Sequence, residues 1–256
     1  MIEALERRTH LNGTLRVFTD GEAIRIVGDR ASTQLSLRAP EDGDGGPLPG
    51  LYLRTNAARL IVDGRNVIGQ ALLSETDGRS IEIDLGEGQD DLSLGGGAIL
   101  GGAHINMGSG DDTLISSARY DRLTVEGGEG EDRIGVGGNP LFSPPLIATG
   151  NVSILPGPGR DRVFFGERGN KRIEGKLLIV DRQGPLSVTG ANLSVRRETT
   201  INTGNSIDRI TLTNARFGRN VYIDTRGNDD VIDLRRSVFR RERYVWPGEG
   251  DDNVIE

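Results

Sequence analysis

Short apolar stretches flank a small-residue turn again and again along this chain. In VYIDTRGNDDVIDL, residues 221–234, the apolar positions alternate, break at a Gly/Asn turn carrying two aspartates, and then resume. The pattern predicts strand, tight turn, strand. Its neighbours obey the same rule: Ile or Val, an Asp seven places on, and an apolar residue two places after the Asp. Seven segments fit it, led by Ile83, Ile105, Val125, Ile154, Ile201, Ile223 and Val245, with their aspartates at Asp90, Asp112, Asp132, Asp161, Asp208, Asp230 and Asp252. An eighth copy, Ile179 to Leu186 and Val188, keeps the frame with Leu in place of Asp. A ninth, Ile61 to Ile68, has lost the Asp as well.

From position 68 to 252 the copies step by 22, 22, 20, 29, 25, 22, 22 and 22 residues. A period in this range, in sequence rich in β-branched residues and Gly, marks a solenoid. The expected fold is all-β: a single-stranded right-handed parallel β-helix with about 22 residues per coil. A third apolar position, nine places after the Asp at Ile99, Val195, Phe217 and Phe239, supplies a third wall. Residues 1–14 read as a separate polar tail and 15–256 as one β-helix, with 15–80 its degenerate first coils or cap and 81–256 its regular coils. An Asp20-Gly21 turn between apolar runs predicts a first strand pair. The Pro/Gly-rich stretch 39–50 and the excess residues at 139–145 and 166–171 are expected to loop outward, and insertions on one face often mark a binding face. The final coil ends at Glu256 without a polar cap, which suggests a fragment of something longer or end-to-end self-association.

The 38 glycines follow from the turns, and the scarcity of aromatics, 4% of residues, requires an aliphatic core. Net charge is −7, with acid concentrated in the turns, which argues against nucleic acid and for a cation partner. The chain has no Cys, so disulfides and thiolate metal sites are excluded. No apolar run is long enough to span a membrane as a helix.

Five turns read G-x-G-x-D outright, at residues 86–90, 108–112, 128–132, 157–161 and 248–252. In the turn 226–230, Asn228 replaces a Gly where a left-handed backbone is expected, a conformation Asn tolerates best after Gly. The motif resembles the calcium-binding nonapeptide of RTX proteins. That resemblance implies Ca²⁺ held by turn carbonyls and by Asp90, Asp112, Asp132, Asp161, Asp208, Asp230 and Asp252. RTX repeats place two such turns in each coil. Here there is one, and Leu186 is expected to break the row. Stacked carboxylates repel by about 1 kcal/mol per pair even in water, and Asp91, Asp111, Glu131, Asp229 and Asp251 add to the load. Arg133, Arg162 and Arg209 are candidates to neutralise it without metal. Pure turn chemistry, Gly for positive φ and Asp bonding the backbone, explains the same residues and stays open.

Residues 3–11, EALERRTHL, resemble the E-x-L-E-x-R-x-L-L signature near the N-terminus of exported and surface proteins of planctomycete-type bacteria, with His10 departing from it. The resemblance implies an extracellular or cell-envelope location. His104 reads as a strand or corner residue, and Trp246 is the only Trp. No nucleophile–base set or phosphate loop stands out. The expected function is therefore a non-enzymatic structural or adhesive β-helix at the cell surface, with calcium and a polysaccharide or protein of the surroundings as partners. The alternative is a β-helix that binds or cleaves acidic polysaccharide, as a lyase or hydrolase. A groove lined by Arg and carboxylates away from the Asp column, near the 139–145 and 166–171 loops, would favour that alternative.

Overall fold

The structure, a computed structural model, describes residues 13–20, 23–39, 50–73, 78–95, 99–137, 146–166 and 170–256. The surface-protein signature at 3–11 and the loop at 139–145 lie outside the described residues, as do most of the 39–50 loop and residues 167–169. The fold is a parallel β-solenoid with about 22 residues per turn. Among the described residues there is no helix long and apolar enough to cross a membrane.

Each coil contributes up to three strands. The first wall stacks Ser80–Asp84, the second half of Ile99–Ser109, the second half of Arg119–Glu129, Val152–Leu155, Leu177–Val180, Thr199–Asn202, Val221–Asp224 and Arg243–Trp246, all parallel. The second wall stacks the strands that follow the aspartates, from Asp91–Gly95 to Asn253–Ile255. The third runs from the starts of Ile99–Ser109 and Arg119–Glu129 through Leu193–Val195 to Val238–Phe239. Side chains alternate in and out along every strand, so one residue type recurs at each inward position. Ile83, Ile105, Val125, Ile154, Ile179, Ile201 and Ile223 form one buried column, pairing residue for residue between coils. Leu100, Tyr120, Ala148, Ile173, Val195 and Phe217 form another. That third column passes through Leu100, one place beyond the expected Ile99.

The N-terminal part departs from the sequence reading. Ile61 and Ile68 are not a coil: Arg59–Val62 and Arg65–Val67 form an antiparallel hairpin, and Ile68 is 95% exposed. The coil that precedes Ile83 is Ala23–Arg38, with Ile26 paired to Ile83 and Leu35 to Leu92. Ile26, Thr33 and Leu35 keep the seven-plus-two spacing, with Thr in the Asp position. Between this coil and the next, Leu51–Thr55 turns back antiparallel on Gln34–Arg38, and Gln70–Leu73 turns back on Leu51–Thr55. Thr14–Thr19 lies antiparallel to Ala23–Val27 and parallel to Arg59–Val62. These strands pair with the edge strands of the first coil.

Packing sets the first test. Ile154 is wholly buried, whereas Ile207 is 65% exposed. Ile154→Ala is expected to lower unfolding free energy by about 2–5 kcal/mol and Ile207→Ala by less than about 0.5 kcal/mol, measured by urea denaturation.

Candidate functional site

The acidic turns stack as one column along the edge between the first and second walls. Both glycines of each G-x-G-x-D turn take positive φ, for example 104° at Gly108 and 134° at Gly110. In the degenerate turn Arg226 and Asn228 take those places at 63° and 75°. The coils also approach too closely for side chains here: a Cβ on Gly128 would lie 1.6 Å from the Gly108 carbonyl oxygen.

The ladder aspartates do not point at solvent. Each places Oδ1 on the backbone N–H of the equivalent residue one coil earlier. Asp112 accepts from Asp90 N–H at 2.7 Å, Asp132 from Asp112 at 3.0 Å, and Asp161 from Asp132 at 2.8 Å. Asp208 accepts from Leu186 N–H at 2.7 Å, Asp230 from Asp208 at 2.8 Å, and Asp252 from Asp230 at 2.9 Å. Asp90 caps the Thr33 N–H of the first coil at 2.5 Å. Where Leu186 offers no carboxylate, Asp161 N–H bonds the Pro185 carbonyl at 3.0 Å instead.

The expected gap at Leu186 is filled. Asp181, five residues earlier in the same coil, is buried, and its charge is felt by both Asp161 and Asp208. It occupies the place of Thr203 and Thr225 in the next coils; Thr203 donates to Asp208 five residues on, and Thr225 to the Pro247 carbonyl of the following coil. The carboxylate column is thus continuous, although one member comes from a different sequence position. The signal was present in the sequence: an Asp appears in that column in the one regular coil whose frame lacks it.

Arg133, Arg162 and Arg209 do not neutralise the column. Each follows an inward-facing residue and therefore points outward, exposed on the second wall. Arg133 lies 4.6 Å from the centre of the Phe164 ring. The additional acids are exposed, and two of them bond backbone: Asp111 accepts from Glu131 N–H and Asp229 from Asp251 N–H. His104 stands outward on its strand, 3.6 Å from Glu126.

Among the described residues, the second oxygen of most of these carboxylates has no such partner, Asp208 being satisfied by Thr203. Oδ2 of Asp90, Asp112, Asp132, Asp161, Asp181 and Asp230 is buried without a hydrogen bond. A buried carboxylate in this state must take up a proton or meet a cation. Burial, reinforced by neighbouring carboxylates, pushes the carboxyls of Asp90, Asp112 and Asp161 up to about 7, 8 and 7. Asp132 and Asp208 rise to about 6, chiefly through burial, and Asp181 and Asp230 also rise. Among the described residues no three acidic or His side chains gather at one point. Calcium, which takes six to eight oxygens, would therefore draw on turn carbonyls as well as on the orphaned Oδ2 atoms. Those atoms fit either occupant.

A second site, unread in the sequence, lies where the third wall turns into the first. Arg197, Arg219 and Arg241 stand at equivalent positions of three successive coils, flanked by Arg196, Arg240 and Lys176. With Glu198, Asn220 and Glu242 they line an open groove of about 1190 Å³. Next to it on the first wall, Tyr222 and Tyr244 lie 5.1 Å apart and within 5° of parallel. The Trp246 ring is 5.6 Å from Tyr244 and half exposed.

Comparison of the chain with known protein families, characterised proteins and solved structures finds no match.

Removing a rung exposes its structural role. Asp112→Ala is expected to cost about 1–3 kcal/mol in chemical denaturation, because Asp90 N–H loses its buried acceptor, while Asp112→Asn keeps an acceptor and costs less. The carboxyls bind protons more tightly folded than unfolded. That stabilisation is complete below the unfolded value of 3.8 and is lost as pH rises through about 6 to 8. In EDTA the melting temperature is therefore expected to fall from roughly pH 5 to pH 8, followed by circular dichroism.

Proposed function

We propose that the chain is a non-enzymatic structural and adhesive β-solenoid module of an exported or cell-surface protein. One observation carries the reading: outward side chains leave the cylinder as rows, the same position filled coil after coil. Arg197, Arg219 and Arg241 make one such row, and Tyr222 and Tyr244 another. A surface that repeats at the coil step, roughly 4.8 Å, matches a partner that also repeats, and many weak contacts then add into firm attachment. Coils locked together through buried turns supply a stiff support.

Calcium is part of the same proposal. It would be held along the turn column by Asp90, Asp112, Asp132, Asp161, Asp208, Asp230 and Asp252, with Asp181 serving the coil of Leu186. When bound, it supplies the positive charge that lets these carboxylates stay ionised above neutral pH. The orphaned Oδ2 atoms support this. At roughly pH 8, calcium is expected to restore the melting temperature lost in EDTA. An unchanged melting temperature there would leave protons as the only occupants.

The arginine-lined groove lies at a different corner from the one expected near 139–145 and 166–171, but its chemistry supports the binding half of the alternative, action on acidic polysaccharide. Module and enzyme separate in one experiment. Purified protein is mixed with bacterial envelope fragments and, in parallel, with polyuronates. Salt-sensitive retention on the fragments, with no new reducing ends and no unsaturated uronide absorbance from the polyuronates, is the expected outcome. Turnover of either kind would replace the module with an enzyme.

A further inference from the structure

The groove at the corner between the third and first walls is charged against the character of the whole molecule. It gathers six cations and two carboxylates in a chain of net charge −7. Two of the cations are occupied: Lys176 pairs with Glu198 at 3.0 Å and Arg196 with Glu174 at 2.9 Å. Arg197, Arg219, Arg240 and Arg241 are exposed and, among the described residues, have no carboxylate partner. Stacking fixes Arg197, Arg219 and Arg241 at the coil step of roughly 4.8 Å, so neighbours repel by about 1 kcal/mol per pair in water. The row is an unfavourable arrangement for the isolated chain and a favourable one for a ligand bearing anions at the same step.

Its surroundings narrow the ligand. Asn220 and Glu242, which line the groove, also bond the hydroxyls of Tyr222 and Tyr244. The aromatic group therefore begins where the groove ends, and Trp246 extends it. Guanidinium forks bind carboxylates in pairs of parallel hydrogen bonds. Aromatic rings pack against the C–H faces of sugars, and Glu198 and Glu242 are acceptors for sugar hydroxyls. Arginine and aromatic rows also hold single-stranded nucleic acid. The two carboxylates among the cations disfavour a phosphate chain, which brings negative charge and no backbone donors to meet them.

We propose that this groove binds a uronic-acid polysaccharide laid along the solenoid axis. Arg197, Arg219 and Arg241 take carboxylates, Glu242 takes ring hydroxyls, and the half-exposed Trp246, held by its stacking on Tyr222 and Tyr244, packs against a sugar. An extended pyranose chain advances by a step comparable to the coil rise, which lets one strand engage several coils. The assignment rests on the adhesive reading and names its ligand class.

Trp246 is the only Trp, so its fluorescence reports this site alone. Polygalacturonate fragments are titrated into the full chain, with neutral dextran and oligodeoxythymidylate as comparisons. Saturable, salt-sensitive change of Trp246 emission with polygalacturonate, and none with dextran, is expected. Arg219→Glu/Arg241→Glu is expected to weaken binding by roughly tenfold or more, with its melting temperature checked, and Arg162→Glu/Arg209→Glu on the second wall to leave it within about twofold. Absent polygalacturonate binding at low salt, equal loss in the two variants, or tighter binding of oligodeoxythymidylate overturns the proposal. Envelope fragments held equally by the unmodified chain and by Arg219→Glu/Arg241→Glu would overturn the groove assignment and leave the adhesive module standing. Uronate binding without envelope retention would uphold the groove and remove the adhesive role.

Discussion

Every regular coil but that of Leu186 returns one carboxylate oxygen to the backbone of the coil before it, and the stacked architecture depends on that bond. At the acidic edge the chain must turn sharply while successive coils lie in close approach, so there is no room for side chains between them. The turn N–H groups there are buried and require acceptors. Asp at a fixed place in the turn satisfies the N–H of the preceding coil's ladder residue through Oδ1. The bond links residues 20 to 29 apart in the regular coils, and 57 apart at Thr33 and Asp90, and holds coil to coil in register. Inward aliphatic columns then follow, because a slip of one residue would turn every apolar side chain outward.

The same bond creates the chemistry of the edge. Using Oδ1 for the backbone leaves Oδ2 buried and alone, repeated along the column. Burial and mutual repulsion both resist ionisation, so the column stores protons or calls for cations. Stability and titration are therefore coupled through one set of side chains. The replacement of Asp by Leu at 186 tests this logic within the chain itself. The backbone finds another acceptor in Pro185, and a carboxylate returns to the column from Asp181.

The outward faces are freer. They are not needed for packing, yet stacking turns each into a row. Where a row carries like charge without carboxylate partners among the described residues, as at Arg197, Arg219 and Arg241, the molecule keeps an electrostatic strain that folding alone does not require. Where it carries aromatic rings, they fall into parallel arrays because the backbone beneath them is parallel.

Much of this was readable in the order of residues. The seven-plus-two spacing, the period near 22 and the positive-φ turn positions are local or strictly repetitive, and alternation along a strand decides what faces inward. Asn228 at φ 75° stands where a left-handed residue was expected. The register of the first coil was not read, because an excursion stretches the step from Ile26 to Ile83 and because Thr33 holds the Asp position. What only the tertiary structure decided is which positions meet across coils and which way the polar atoms turn. The inward aim of the carboxylates, the rescue by Asp181, and the meeting of an arginine row with three aromatic rings all arise between residues remote in sequence. Pattern reveals the period of a solenoid, but the contacts between its laps exist only once the laps are stacked.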